Sequence, residues 1–145
     1  MTLNEFVNTM AFGMLLGGTD THNCTHHNCT QMSINDKYNS TIFRLPCVVC
    51  VDGFSISIQV HHGAYCASEN GTRTFGTDWQ LVEWGFPSNE IDAVLYKAES
   101  SPTTNSVEGY VDINLMETLI QEHGGIDLQQ TLKREIEKRE MLKKC

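Results

Sequence analysis

Basic side chains are scarce in most of this chain. Residues 1–132, which we call the body, contain only four Lys or Arg residues: Lys37, Arg44, Arg73 and Lys97. The body also has fifteen acidic side chains, so its net charge is −11, whereas residues 133–145 have six basic and three acidic side chains. Affinity for nucleic acid comes from clustered Lys and Arg. We therefore expect no direct contact with nucleic acid, and an acidic surface that serves solubility or a partner protein with a basic surface.

The chain also lacks a long hydrophobic run. No stretch approaches the roughly 20 apolar residues that a membrane-spanning helix needs. The N-terminal sequence MTLNEFVNTMAFGMLLGG is partly apolar, but no Lys or Arg precedes its apolar residues, and Asn4, Glu5 and Asn8 interrupt them. This pattern indicates an amphipathic helix rather than a signal peptide. We accordingly expect no membrane contact, a cytoplasmic protein, and reduced thiols for its six cysteines.

Length and periodicity predict one α+β domain over residues 1–145. An N-terminal helix is predicted over 3–16, with Thr2 and Glu5 as a capping box. A polar, loop-rich segment follows over 17–45. The remaining pattern predicts a small, mainly antiparallel sheet and two C-terminal helices, with strands at 47–51, 54–60, 80–86, 91–96 and 107–111 and helices at 113–122 and 127–144.

The first two strands flank Asp52-Gly53, a pair typical of a tight two-residue turn. With this turn Val49 pairs with Ile56, which places Cys47 on the core side and Cys50 on the opposite face. Apolar and polar side chains alternate along the second strand. We therefore expect one face of that strand to be buried and the other to contact water.

Short motifs occur in a fixed order between about residues 46 and 126. They are Ser57-Ile58-Gln59-Val60, Tyr65-Cys66, Glu83-Trp84-Gly85-Phe86-Pro87-Ser88, Tyr96 followed by Glu99, Gly109-Tyr110-Val111 and His123-Gly124-Gly125. In these residues the chain resembles a family of small uncharacterised proteins of bacteriophages and related mobile elements. That family follows Tyr-Cys with a Pro-Arg pair, whereas Cys66 here is followed by Ala67-Ser68-Glu69, so any role of that arginine is not carried over. The resemblance implies a phage accessory protein in the host bacterial cytoplasm.

The spacing of cysteine and histidine residues raises the question of zinc. Cys24, Cys29, Cys47 and Cys50 approximate a four-cysteine site. The predicted hairpin argues against it, because two of these thiols face opposite sides of one strand. A looser site would use ligands from the loop-rich segment alone, namely His22, Cys24, His26, His27 and Cys29. We expect a polar loop there and no cofactor, with zinc as the alternative.

An alternative function rests on His61, Cys66 and Glu83, which could form a Cys–His–acid set for nucleophilic hydrolysis, with Asp78 as a second candidate acid. No signature of a known cysteine enzyme surrounds Cys66, and a packed free thiol is the ordinary explanation. The same alternative includes binding of a small molecule or nucleotide by aromatic side chains of the sheet, with Arg73 as the nearby cation.

The favoured hypothesis is a non-enzymatic phage accessory protein that binds a host protein and inhibits or redirects it. A protein of anti-phage defence is the most concrete target. A surface poor in cations can compete with nucleic acid for a basic groove. We predict that the acidic residues Glu90, Asp92 and Glu99 contribute to this contact.

The last predicted helix offers only a narrow apolar line, formed by Leu128, Leu132 and Ile136. Such a line is too thin for a deeply buried helix. We predict that the helix lies on the surface, or that residues 128–142 form the seam of a homodimer.

Overall fold

The computed structural model describes residues 1–17, 45–61, 63–73, 77–99 and 101–143. In chain order its elements are helix α1 (Leu3–Gly17), strands β1 (Val48–Val49), β2 (Ser55–Gln59), β3 (Ala67–Ser68), β4 (Trp79–Gly85) and β5 (Val107–Asp112), and helices α2 (Ile113–Glu122) and α3 (Leu128–Lys143). Most of the predicted loop-rich segment, including the candidate zinc ligands at 22–29, lies outside the described residues. Within the described ranges no helix is long and apolar enough to cross a membrane.

The sheet is antiparallel and has β4 at its centre. Strand β5 pairs along one side of β4, β2 and β3 share the other side, and β1 extends the sheet beyond β2. The predicted α+β fold, with one N-terminal and two C-terminal helices, is confirmed. The core contains side chains from α1, α2 and one face of the sheet, among them Phe6, Val7, Val82, Trp84, Met116 and Ile120.

All three helices begin at the predicted capping residues. Thr2 and Glu5 form the capping box: the Thr2 N–H donates to Glu5 Oε1 at 3.2 Å, and the Glu5 N–H donates to Thr2 Oγ1 at 3.1 Å. The Asp112 carboxylate accepts from the second backbone N–H of α2 at 2.8 Å. The Asp127 carboxylate accepts from the third N–H of α3 at 3.1 Å. These local rules place the helix starts correctly.

Two asparagines that interrupt the apolar pattern of α1 attach this helix to the sheet. The Asn4 side chain donates to Thr77 O at 2.9 Å and accepts from the Trp79 N–H at 2.9 Å. Asn8 donates to the same Thr77 oxygen at 2.7 Å and accepts from the Trp79 indole N–H at 3.3 Å. The polar positions of α1 therefore satisfy backbone groups at the start of β4.

The β1–β2 hairpin has a three-residue loop, whereas the sequence predicts a two-residue turn. The Cys50 N–H donates to Phe54 O at 2.7 Å, and the Gly53 N–H donates back to Cys50 O at 2.9 Å. Gly53 has a φ of +94°. A turn followed by a left-handed glycine is the usual form of a three-residue hairpin loop.

This loop moves the strand register by one residue. Val48 pairs with Ile56, whereas the sequence predicts Val49 in that position. A one-residue slip exchanges the two faces of a strand. Cys50 is therefore buried and Cys47 only half-buried, so the predicted placement of the two thiols is wrong.

The polar face of β2 does not contact water as predicted, because Ser55 and Gln59 are both buried. The Ser55 N–H donates to Ser88 Oγ at 3.0 Å. The Gln59 amide donates to Leu45 O at 2.9 Å and accepts from the Leu45 N–H at 2.8 Å. At Gln59 the segment before β1 covers this face, which the alternation of β2 cannot reveal.

Residues 91–96 do not form the predicted strand. Asp92 starts a turn instead, in which its carboxylate accepts from the N–H groups of Val94 and Leu95, both at 3.0 Å. The Tyr96 N–H donates to Asp92 O, also at 3.0 Å. A local Asp side chain thus provides the partners that a strand would find in a ladder.

Helix α3 closes the outer edge of β1 through a polar contact. Thr131 is fully buried, and its hydroxyl accepts from the Val49 N–H at 2.9 Å. The Asp127 N–H donates to Val49 O at 2.8 Å. Leu132 and Ile136 are 40% and 56% exposed, so α3 lies on the surface. The homodimer through 128–142 stays a prediction, which light scattering of a chain truncated after Leu132 tests.

Candidate functional site

The loop between β4 and β5 carries the most exposed large apolar side chain of the described residues. Val94 is 91% exposed, and its neighbour Leu95 is 50% exposed. We call residues 90–99 the tip loop. Two adjacent apolar side chains at the end of a loop are available for burial against another molecule.

The base of the tip loop is anchored in the core. Tyr96 is buried, and its carbonyl accepts from the indole N–H of Trp84 at 3.1 Å. Burial raises the pKa of the Tyr96 hydroxyl, which lies 3.5 Å from Glu122 Oε2. The Ile91 N–H donates to Thr103 Oγ1 at 2.9 Å. These contacts fix the two ends of the turn that presents the apolar pair.

Acidic side chains lie within the tip loop or contact it: Glu90, Asp92, Glu99, Glu108 and Glu122. Lys97 is the only Lys or Arg between residues 90 and 99. The Glu90 carboxylate accepts from both the hydroxyl and the N–H of Thr103, at 2.5 and 2.9 Å, and these bonds lower its pKa. Two of the three predicted partner-binding acids, Glu90 and Asp92, therefore also hold the loop in shape. Among the described residues no side-chain hydrogen bond is found for Glu99.

A second surface lies on the other face of the sheet. Trp84 and Glu83 are successive residues of β4 and point to opposite faces. Trp84 faces the tip loop. Glu83 Oε2 accepts from the N–H of Tyr65, in the loop between β2 and β3, at 3.0 Å. The tip loop and Tyr65 are therefore on opposite sides of β4.

A bulge in β5 shapes this second surface. The pairing of β4 with β5 shifts between Val82 and Trp84, so Gly109 and Tyr110 together lie opposite Glu83. Tyr110 has a φ of +54°. A left-handed backbone at an aromatic residue costs about 1–3 kcal/mol and persists only where its surroundings enforce it.

The loop that contains Tyr65 fits onto the bulge. The Tyr110 N–H donates to Tyr65 O at 2.8 Å. A Cβ atom at Gly109 would collide with Tyr65 Cβ, so glycine is required there by close approach rather than by its φ angle. The loop between β2 and β3 and the bulge in β5 thus fix the positions of Tyr65 and Tyr110.

Arg73 completes a group that we call the Tyr–Arg cluster, made of Tyr65, Arg73 and Tyr110. The guanidinium carbon lies 5.0 Å from the centre of the Tyr65 ring, and Nη2 donates to the Tyr110 hydroxyl at 3.0 Å. The ring centres of the two tyrosines are 5.7 Å apart with an angle of 41° between the rings. The hydrogen bond to Tyr110 raises the pKa of the Arg73 guanidinium further. Half of each tyrosine remains exposed.

The candidate catalytic residues lie near this cluster, and the side-chain contacts found for Cys66 and Glu83 in the described part of the chain are to backbone groups. The Cys66 thiol is buried, and the carbonyl oxygens of Arg73 at 3.6 Å and His61 at 3.7 Å are the two alternative acceptors for its single S–H. Burial raises the pKa of Cys66 to about 11, so the thiol is protonated at neutral pH and is a weak nucleophile. Glu83 binds the Tyr65 N–H, and the Asp78 N–H donates to Glu69 at 2.9 Å in a separate loop.

The described residues contain no group of three or more His, Cys, Asp or Glu side chains that could hold a metal ion. Burial raises the pKa of Cys47, and it raises that of Cys50 to about 11. The looser set at His22, Cys24, His26, His27 and Cys29 lies outside the described residues.

A cleft of about 230 Å³ separates the starts of α1 and α2. Glu117 lines it and already accepts from the Leu3 N–H at 2.8 Å, and Asp112 caps α2. The carboxylates of Glu117 and Asp112 therefore already accept from backbone N–H groups that could otherwise bind an anion.

The sequence analysis missed the Tyr–Arg cluster as a unit. A signal for it is present, because an isolated glycine in a strand pattern indicates a bulge or a close backbone approach, and Gly109 has both. Comparison with known family models, curated proteins and solved structures finds no match for this chain. The resemblance to bacteriophage proteins stays a prediction.

Proposed function

We propose that this chain is a non-enzymatic binding protein whose tip loop docks on a basic surface of a host protein and inhibits or redirects that protein. The 91% exposure of Val94, at the end of a loop anchored by Trp84 and Tyr96, is the observation that carries the proposal. The setting in a bacterial host, and a defence protein as the target, rest on the sequence resemblance alone.

The apolar pair supplies affinity in this proposal. Full burial of an exposed Val or Leu side chain contributes about 1.5–3 kcal/mol. Because Asp92 and Tyr96 already fix the turn, little conformational entropy is lost when Val94 and Leu95 enter a recess on the partner.

The carboxylates supply the preference for a basic partner. Glu90, Asp92 and Glu99 lie in the tip loop beside a single lysine, and the body carries fifteen acidic and four basic residues. Like-charged surfaces are repelled, and a groove lined by Lys and Arg is attracted. A groove that otherwise binds nucleic acid would be blocked in this way.

Hydrolysis by His61, Cys66 and Glu83 has less support, because the buried Cys66 thiol is protonated at neutral pH. The replacement Cys66→Ser should therefore preserve biological activity apart from a modest loss of stability. Loss of activity with an unchanged melting curve would favour the enzymatic alternative.

Affinity capture from a bacterial lysate with three baits tests the proposal. The baits are the natural chain, the double variant Val94→Ser with Leu95→Ser, and the control Val51→Ser. Val51 is also a strongly exposed valine but lies in the β1–β2 loop. We expect one basic protein on the natural and control baits, reduced about ten-fold or more on the double variant.

The captured protein is then purified and its affinity measured directly. Equal binding to all three baits would place the contact away from the tip loop and contradict the proposal. The absence of any captured protein that depends on Val94 and Leu95 would contradict it as well.

A further inference from the structure

The Tyr–Arg cluster holds a cation for which the described residues provide no carboxylate partner. Arg73 and Lys97 are the only Lys or Arg residues in the described part of the body. Although acidic residues outnumber them strongly, no carboxylate lies within ion-pair distance of Arg73 in that part of the chain. Its observed contacts are the Tyr65 ring and the Tyr110 hydroxyl.

Tyr65 and Tyr110 hold Arg73 in position, and among the described residues only one hydrogen bond of its guanidinium is found. A guanidinium has five N–H donors, and the Tyr110 hydroxyl accepts from Nη2. The guanidinium carbon lies 5.0 Å from the centre of the Tyr65 ring, and in the described part of the chain no second hydrogen bond of the guanidinium is found. A carboxylate matches the edge of a guanidinium with two parallel hydrogen bonds. Because the guanidinium is already held, little side-chain entropy is lost when a carboxylate binds.

Two aromatic surfaces accompany this cation. Tyr65 is 54% exposed and Tyr110 is 49% exposed, and their rings are tilted against each other. A third aromatic ring can pack against such a pair in an offset or edge-to-face manner. The cluster therefore offers one positive charge beside an aromatic wall.

The backbone beneath the cluster is strained at Tyr110. Tyr110 has a φ of +54° at the bulge, and Gly109 is needed for the approach of Tyr65. Strained backbone and bulges concentrate at binding sites, where they aim particular side chains. Here the strain places the Tyr110 hydroxyl against Arg73.

From this arrangement we infer that the Tyr–Arg cluster binds a carboxylate carried next to an aromatic ring. Such a group occurs in free aromatic acids and in peptides that end in an aromatic residue. A single guanidinium in a body with a net charge of −11 favours a monoanion over a doubly charged phosphate. The site lies on the opposite face of β4 from the tip loop, and its ligand is independent of the proposed host protein.

Titration followed by NMR tests this inference, with the Arg73 Nε–H signal and the ring signals of Tyr65 and Tyr110 as readouts. The probes are N-acetylphenylalanine, its primary amide, N-acetylalanine, 3-phenylpropionate and inorganic phosphate. We expect saturable shifts with N-acetylphenylalanine and a Kd on the order of 1–10 mM, as for a fragment of this size. The amide and the alanine derivative should bind about ten-fold and about five-fold more weakly, because each lacks one half of the recognised group.

Matched variants distinguish binding at the Tyr–Arg cluster from a general effect of charge on the affinity for N-acetylphenylalanine. Arg73→Lys should weaken N-acetylphenylalanine about five-fold or more, because lysine cannot form two parallel bonds. Lys97→Gln, which removes the other described Lys or Arg of the body, should leave binding unchanged. Tyr110→Phe should weaken binding about three-fold, because the ring stays while the hydroxyl that holds the guanidinium is lost.

Several outcomes would overturn the inference: equal binding of the amide, tighter binding of phosphate, shifts that do not saturate, or an equal loss with Lys97→Gln. Relative affinity for 3-phenylpropionate and N-acetylphenylalanine assigns the source of the ligand as a free aromatic acid or a peptide C-terminus. None of these measurements involves Val94 or Leu95. A negative result for the Tyr–Arg cluster therefore does not contradict docking by the tip loop, and a negative result for the tip loop does not contradict carboxylate binding by the cluster.

Discussion

The tip loop and the Tyr–Arg cluster are attached to successive residues of one strand, yet they present opposite chemistry. The tip loop is anchored on Trp84, held by carboxylate hydrogen bonds, and exposes aliphatic side chains and negative charge. The Tyr–Arg cluster is anchored on Glu83 and exposes aromatic rings and one positive charge. The alternation of a single strand therefore separates two chemically unlike surfaces by the thickness of the sheet.

The largest expected effect comes from removing the anchor of the tip loop. Trp84 is fully buried, so Trp84→Ala should lower the free energy of unfolding by about 3–5 kcal/mol, through a cavity and the lost bond to Tyr96 O. Urea denaturation measures the loss. The control Glu83→Gln keeps an acceptor for the Tyr65 N–H and should cost about 1 kcal/mol or less. Equal losses would mean that the two surfaces depend on β4 in the same way.

A smaller effect is expected where Tyr65 meets the bulge. Gly109→Ala should destabilise the chain by about 1–3 kcal/mol and displace Tyr65, because the added methyl group has no room beside Tyr65 Cβ. The exposed Gly63 is the matched control, since its added Cβ would meet only the His61 ring, at 3.4 Å, and Gly63→Ala should stay within about 0.5 kcal/mol. An unchanged free energy of unfolding for Gly109→Ala would show that the close approach of Tyr65 to Gly109 is not required.

Acid should loosen the base of the tip loop. Hydrogen bonds from Thr103 lower the pKa of Glu90 below its ordinary value of 4.5. The ionised carboxylate therefore stabilises the loop fully above that value, and its contribution is lost as the pH falls through the lower, folded pKa. The Thr103 amide signal in NMR should move with a midpoint below 4.5, and Glu90→Gln should abolish this movement. A midpoint at or above that value would contradict the assigned hydrogen bonds.

The smallest expected effect is on the rate of association with the proposed partner protein. Glu99 is the cleanest position for a charge test, because Glu90 and Asp92 also support the loop. Glu99→Gln should lower the association rate about two-fold, and a change from roughly 50 to 300 mM salt should lower it several-fold, with the dissociation rate nearly constant. Arg73→Gln should not slow association, since it removes a positive charge. A rate independent of salt would leave the acidity of the body as a feature of solubility.

Local chemistry made the helices predictable, because their starts depend on side chains that bind N–H groups two or three residues away. The β1–β2 register could not be read in the same way, since Asp52-Gly53 fits both a two-residue and a three-residue loop and the two differ by one residue in pairing. The apolar run at 91–96 looks like a strand, but the Asp92 carboxylate competes with the ladder. The Tyr–Arg cluster joins residues up to 45 positions apart, from Tyr65 to Tyr110, and only the tertiary structure brings them together.

The bulge that aims Tyr110 also interrupts one edge of the described sheet. Strand β5 pairs only with β4 in the described sheet, so its other side is an open edge of the kind that recruits strands from neighbouring molecules. The left-handed residue at 110 breaks the regular spacing of N–H and C=O groups in the middle of this six-residue edge. No straight stretch longer than about three residues remains for an incoming strand, which is too short for stable pairing. The kink at Tyr110 thus makes this edge a poor template for edge-to-edge pairing.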